Sequence, residues 1–314
     1  MDIIAVGEIL IDLTQCGINN QGIPVFAANP GGAPANLAVA AARLGAKSAF
    51  IGKVGDDSFG SLLRRTLAEN QVDVSAMVTD TTSRTTMAVV ALDAQGERNF
   101  SFYRDPSADV NLSAEETSPE FLEKTRFLHF GSVSLTAEPA RSATLYAART
   151  AKAQGAVISY DPNYRASLWA DQETAVARML EPMDMVDILK VSDEELPLLT
   201  GTEDLDQGSR ILADRGISLV LVTLGAKGAY YRFGENTGTL PGVPCKVGDT
   251  NGAGDTFFGA VLAQLAKRKG LADLTVPELE TIIAFANKAA SLTTSRHGAI
   301  PAMPSYEEVF AQRG

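Results

Sequence analysis

The 314-residue sequence has little cysteine, no excess of basic charge and no long apolar run. Its two cysteines, Cys16 and Cys245, allow at most one disulfide, and there is no Cys-x-x-Cys pair or Cys/His cluster. A disulfide scaffold is excluded and a zinc site is disfavoured. No stretch reaches the ~18 uninterrupted apolar residues that a membrane-spanning helix requires. Lysine and arginine number 27 against 38 aspartates and glutamates, a formal net charge of −11. So acidic a chain is not built to wrap nucleic acid or to lie on an anionic membrane, and it can hold an anion only at a local site. Two nucleotide fingerprints are missing as well. There is no Gly-x-x-x-x-Gly-Lys-Ser/Thr loop, and no Gly-x-Gly-x-x-Gly follows the first apolar run. Met1 to Glu8 carries acidic residues where a secretory signal is basic. The expected location is the cytoplasm, with both thiols reduced. In that setting the sequon Asn111-Leu112-Ser113 is a chance match.

What is present is ordinary globular composition, 45% apolar and 21% charged, in a chain long enough to bury a large core. Ile3 to Val6 predicts a buried strand, and the segment from Gly17 to Gly32 is rich in Gly, Asn and Pro. Ala33 to Leu44 predicts a helix, with Pro34 in its first turn, Arg43 in its last and Gly45 ending it. Its alanine-rich face predicts close packing against a sheet. A strand at 49–53 and a helix at 59–69 follow. Thr85 to Leu92 and Arg98 to Tyr103 flank Asp93-Ala94-Gln95-Gly96 and predict a hairpin. From 127 onward strands (127–131, 156–160, 186–191, 218–224) alternate with helices (138–153, 172–180, 194–200, 207–215). Such alternation predicts a mostly parallel sheet with helices on both faces and ligands at the carboxyl ends of its strands. The hairpin and the 10–30 segment interrupt the pattern and predict a small lid outside that sheet.

The most informative segment is Gly248 to Gly259, GDTNGAGDTFFG. It opens a helix expected to run to Lys267-Arg268-Lys269 and to stop at Gly270. Gly252, Ala253 and Gly254 have little or no side chain, so their amides can approach a ligand at a helix N-terminus and form an anion hole. Asp255, in the first turn, sets a carboxylate beside that hole. A proton acceptor next to donors for a moving phosphate is what phosphoryl transfer to a hydroxyl requires. A capped helix behind a glycine-rich turn would give the same residues.

The segment 249–259 resembles the second signature of the PfkB, or ribokinase-like, carbohydrate kinases. The first signature is present in Gly31-Gly32-Ala33-Pro34-Ala35-Asn36-Leu37-Ala38, followed by Gly45, Gly52 and Gly55. Two signatures some 200 residues apart and in order are more specific than either alone, and the resemblance covers essentially the whole chain. Further runs resemble the bacterial fructokinases of that family: Gly7 to Asp12, Phe102 to Asp109, His129 to Leu135, Ser159 to Arg165 and Leu189 to Glu195. The resemblance implies a doubly wound α/β domain over 1–314, with a β-sheet lid from about 10–30 and 85–107. It also implies ATP as donor, magnesium, and phosphorylation of D-fructose at the 6-hydroxyl.

Residue by residue, the resemblance implies a sugar site of Asp12, Gly31, Gly32, Asn36, Arg104, Asn163 and Asp255. The Asp12 carboxylate can accept sugar hydroxyls, and the Asn36 amide can both donate and accept. A solvated loop acid and a helix-end amide are the plain alternatives. Arg165 is expected near the transferred phosphate, where a guanidinium offsets developing charge; a surface ion pair is its alternative. ATP contacts are expected from Lys190, Ser192, Thr223, Gly225, Gly228, Gly252, Gly254 and Asn287. Glu195, closing a Ser192-x-x-Glu195 tetrad, is expected to hold water on magnesium; many relatives have Asn in place of Ser192. A potassium ion is implied beside the anion hole, near Asp249, Thr250 and Gly298. His297 has no evident nucleophile to serve. Phe100, Phe102 and Tyr103 alternate in a strand, so at least one is lid packing.

A loose transition state lets even an unperturbed Asp255 serve as base. A 2-keto-3-deoxygluconate kinase is the nearest rival, but its carboxylate substrate would be repelled by Asp12. A nucleoside kinase of the same fold matches the sugar-side segments less well. A non-catalytic sugar-binding regulator is disfavoured, because Asp255, Gly252 and Gly254 are all present. The partners expected are D-fructose and ATP, with no nucleic acid, no membrane, and a homodimer through the lid strands.

Overall fold

Residues of alternating facing build the larger sheet. On β1 (Ile3–Val6) Ile4 and Val6 face one side and Ile3 the other, all fully buried. The same period of two recurs in β8 (Phe127–Gly131) and β11 (Leu219–Thr223), so the sheet is covered on both faces. The computed structural model describes every residue except 93–97, 124, 269, 272 and 312–314. The other strands are β2 (Leu10–Ile18), β3 (Pro24–Gly31), β4 (Ser48–Gly55), β5 (Met77–Asp80), β6 (Met87–Leu92), β7 (Arg98–Tyr103), β9 (Val157–Asp161), β10 (Ile188–Ser192), β12 (Ala229–Phe233) and β13 (Asn236–Leu240). Among the described residues they form a nine-stranded sheet, β13-β12-β11-β10-β9-β8-β1-β4-β5, and a four-stranded sheet, β3-β2-β6-β7. The large sheet is parallel from β5 to β11, and β12 and β13 add an antiparallel edge.

The helices are α1 (Ala33–Arg43), α2 (Ser58–Glu69), α3 (Pro119–Leu122), α4 (Ala140–Ala153), α5 (Gln172–Leu180), α6 (Glu195–Thr200), α7 (Leu205–Ala213), α8 (Ala253–Leu265), α9 (Val276–Thr294) and α10 (Tyr306–Ala311). Chain order runs outward from β1 both ways, to β4 and β5 on one side and to β8 and beyond on the other. Strand order therefore reverses between β1 and β8. Their outgoing loops separate there and leave a crevice at the carboxyl ends.

Three expectations change in detail. The hairpin is present as an antiparallel β6–β7 pair, while its turn at 93–96 lies outside the described residues. Thr85 is not in β6, because Asp57 takes its N–H at 2.9 Å and its hydroxyl at 2.8 Å. Helix α8 ends at Leu265, and the Arg126 guanidinium donates to the carbonyls of Ala266 and Arg268 just beyond it. Lys269 and the Phe100 side chain also lie outside the described residues. The alanines of α1 meet more than a sheet. A Cβ on Gly259 of α8 would lie 2.8 Å from Ala40 Cβ and 2.9 Å from Leu37 O, so α1 and α8 touch almost backbone to backbone.

Candidate active site

That helix contact brings two distant parts of the chain together. Asn36, in the first turn of α1, donates through Nδ2 to Asp255 Oδ2, in the first turn of α8, at 2.8 Å. Both line a cleft of about 460 Å³ over the strand-order reversal. Its floor comes from the loops after β1 (Glu8), β8 (Val133) and β9 (Asn163, Arg165), with Lys190 from β10. Its far wall is the four-stranded sheet, through Leu10, Asp12 and Phe102. The α8 N-terminus closes the remaining side with Thr250, Gly252 and Gly254. Gly252 is the N-cap at φ +74°, a left-handed conformation that a side chain disfavours, and a Cβ there would sit 3.0 Å from Ala299 Cβ. The Ala253 N–H turns back to Thr250 O at 3.3 Å.

Burial raises the Asp255 carboxyl above its ordinary value, against the Asn36 hydrogen bond and the charges of Lys190 and Arg165. A raised pKa makes the ionised carboxylate a stronger base. Lys190 forms a buried ion pair with Asp161 at 2.7 Å. Burial by itself lowers the pKa of this lysine, but Asp161 and Glu195 outweigh it and the pKa is raised. A Cβ on Gly254 would lie 3.2 Å from Lys190 Nζ, so a fixed cation stands beside the glycine turn. Arg165 is exposed at the cleft mouth and donates to the neighbouring Tyr164 carbonyl at 3.0 Å. The sequence alone assigns no role to Glu8 or Asp161, although both lie in family-like motifs. What marks them is burial, which residue type alone does not reveal.

Arg104 is placed differently from its expected sugar contact. It pairs with Asp109 at 2.7 Å, donates to Thr136 Oγ1 and Val133 O, and does not line the cleft. Its side chain is 8% exposed and is turned to these partners rather than to the cleft. Gly31 lies behind Asp12, where a Cβ would meet Oδ2 at 2.5 Å. Of the expected nucleotide residues, Lys190, Gly252 and Gly254 line the cleft and the others do not. Ser192 and Glu195 cap each other's backbone, and Glu195 also accepts the Tyr164 N–H at 2.7 Å. Thr223 donates to Val191 O at 3.4 Å, and Gly225 begins the short turn after β11. A Cβ on Gly228 would strike Leu240 O at 2.1 Å, and the Asn287 amide donates to the carbonyls of Leu240 and Pro241. These residues brace the 223–242 region. Phe102 faces the cleft, while Tyr103 is exposed.

A second cavity, of about 300 Å³, adjoins the first and shares Asp12 and Asn251 with it. Asp249, His297 and Gly298 line it. Asp249 accepts the N–H groups of Asn251 (2.9 Å) and Gly298 (3.2 Å), so the two loops expected to flank a potassium ion are joined. Cys16 and Cys245 are free and exposed. Among the described residues no group of three or more His, Cys, Asp or Glu side chains could hold a metal, and no helix is long and apolar enough to cross a membrane.

A family model for pfkB family carbohydrate kinases matches residues 1–305. The chain is 43% identical to fructokinase-1 of Zea mays over 312 residues, 98% of this chain and 96% of that one. The structure of Xylella fastidiosa fructokinase with bound ATP superposes with a TM-score of 0.92 at 34% identity, covering 99% of this chain and 97% of the other. A double mutant of Vibrio cholerae O395 fructokinase, with fructose, ADP and potassium ion bound, superposes at 0.90 with 36% identity, covering 99% and 98%.

Proposed function

The chain belongs to the pfkB family of carbohydrate kinases, and on that premise we propose that it is a fructokinase, transferring the γ-phosphate of ATP to the 6-hydroxyl of D-fructose. The carrying observation is the 2.8 Å bond from Asn36 to Asp255 in a cleft that also holds Asp12, Lys190 and Arg165. It couples a sugar-side amide directly to the base.

In this reading the whole chain is one catalytic unit and the four-stranded sheet is its lid. Asp12, Gly32, Asn36 and Asn163 hold the sugar. Asp255, raised by burial and oriented by Asn36, takes the hydroxyl proton at Oδ1 or Oδ2 as the oxygen attacks in line. The α8 N-terminus at 252–254, the Lys190 ammonium and the Arg165 guanidinium offset the charge on the moving phosphoryl group. The residues present suit ATP there: a left-handed glycine N-cap, a second glycine that gives Lys190 room, and a buried cation that survives its burial. Magnesium, arriving with the nucleotide, would neutralise phosphate charge, and Glu195, fixed by two backbone N–H groups, would hold its water. Asp249, Thr250 and Gly298 would frame a potassium ion. Cytoplasmic residence is part of the same reading.

A neutral sugar fits better than an acidic one, because Asp12 lines the cleft while Arg104 is consumed by Asp109. The test is a coupled ADP-release assay over a panel of neutral and acidic sugars. Fructose is expected to give the highest kcat/KM. Preference for 2-keto-3-deoxygluconate would refute the substrate, and no turnover with any sugar would refute the kinase.

A further inference from the structure

We propose that the buried Glu8–Arg104–Asp109 cluster is the positioning element that holds the lid over the sugar, with Arg104 and Asp109 acting through the lid and not on the substrate. The inference rests on the kinase reading above and adds a role that it leaves unassigned. The chain crosses between the large sheet and the lid four times: at 7–9 into β2, at 31–32 out of β3, at 85–86 into β6, and at 104–109 out of β7. The first two crossings meet at Glu8 and the last two at Asp109.

Glu8 Oε1 accepts the N–H of Ala33 at 3.2 Å, which ties the first crossing to the second. A Cβ on Gly32 would lie 2.7 Å from Glu8 O and 2.9 Å from Ile9 Cα, so these two backbones touch with nothing between them. Asp109 ties the third crossing to the fourth. It accepts the Thr86 hydroxyl, the Ser107 hydroxyl at 2.8 Å, and Arg104 Nε at 2.7 Å. Arg104 then anchors the pair to the core at Thr136 and Val133. The two halves attract each other, since the Arg104 charge favours an ionised Glu8.

The cluster also lacks one donor. Glu8 Oε2 is buried and has no hydrogen-bond partner among the described residues, although Glu8 lines the cleft. Burial, ahead of every other influence, pushes this carboxyl up to about 7; Asp109 adds to the rise, and Arg104 and the backbone N–H groups of Glu8 and Ala33 oppose it. A buried oxygen without a donor is costly. Closure over a bound sugar can supply the donor, as a hydroxyl or as Arg104 moving inward, so lid closure and completion of the cluster become one event. An incompletely closed lid would leave water beside the γ-phosphate.

The test uses the full chain as Glu8→Gln, Arg104→Lys and Asp109→Asn. Sugar phosphate and ADP are measured separately, and hydrogen exchange is followed with and without fructose before ATP is added. KM for fructose should rise at least ~10-fold, within the usual range of coupling between sites, while KM for ATP stays put. ADP release should exceed sugar phosphate formation, and fructose should no longer slow exchange across 10–31 and 87–103. Arg232→Lys, which alters the ion pair of the buried Arg232 with the exposed Asp206 near the far edge of the large sheet, should lower the melting temperature without changing the ADP-to-sugar-phosphate ratio. Glu8→Gln retains an acceptor for the Ala33 N–H and stays informative if the ion-pair variants do not fold. A folded Glu8→Gln or Asp109→Asn with the wild-type ratio and wild-type protection overturns the inference alone. A wild-type protein that phosphorylates no sugar overturns the kinase reading and this inference with it.

Discussion

Gly259 touches no substrate in the proposed mechanism, yet changing it should disable the enzyme. It lies one turn beyond Asp255 on α8, facing Ala40 of α1. A Cβ there would stand 2.8 Å from Ala40 Cβ, whereas carbon atoms rest at ~3.5–4.0 Å. The helices must therefore part by about 1 Å, and Leu37 O at 2.9 Å blocks an easy sideways escape. Asn36 and Asp255 ride on these same two helices, so their 2.8 Å bond must stretch or tilt. A displacement of about 1 Å at a reacting group can cost ~10²-fold in rate. Intrinsic preference points the other way, because Gly→Ala inside a helix gains about 1 kcal/mol. Overpacking of a filled core costs ~1–3 kcal/mol, so the net change for Gly259→Ala should be a loss of stability. Gly259→Val should be worse on both counts. The assay is kcat with saturating sugar and ATP, alongside thermal unfolding monitored by circular dichroism. If Gly259→Ala melts higher than wild type and turns over normally, the helix contact does not set the catalytic geometry and the argument fails.

Asp255→Ala should lower turnover by at least ~10²–10⁴-fold, the worth of a general base, while calorimetry still detects fructose binding; unchanged turnover would refute its role. Turnover should fall with decreasing pH as Asp255 is protonated, at a pH above the ordinary carboxylate range because burial raises it. Arg165 is one of the charges that oppose the rise, so Arg165→Met should move this acid limb to higher pH; an unmoved or lowered limb in a pH–rate profile would count against the assignment. Asp12→Ala should leave sugar hydroxyls unpaired at a cost of ~1–3 kcal/mol, read as a raised KM for fructose with little change for ATP; equal losses for both would mean misfolding. Exposed Ile18, Val25, Phe26 and Tyr103 and the open edges β3 and β7 give the lid an apolar surface suited to a second copy. Sedimentation should show a dimer, and a monomer at assay concentration would remove that pairing.

The alternating core was legible because β-strands buried on both faces and alanine- and leucine-rich helices leave local signals of period two and 3.6. The glycine turn before α8 was legible for the same reason, since conformation and close approach dictate residue type there. The links between such elements were not. Asn36 and Asp255 are 219 residues apart, and nothing local states that one holds the other. Arg104 shows the opposite failure. Its motif suggested a sugar contact, but its guanidinium pairs with Asp109, five residues on, and does not line the cleft. Glu8 and Asp161 went unassigned because their chemistry comes from lost solvent, a property of the folded chain. A sequence motif therefore identifies the groups that can carry charge here. Which of them face the substrate, and which instead hold the lid, depends on pairings between separate elements. For that reason the Glu8–Arg104–Asp109 variants and the Asp255 variants should fail differently, the first in sugar retention and water exclusion and the second in the proton-transfer step itself.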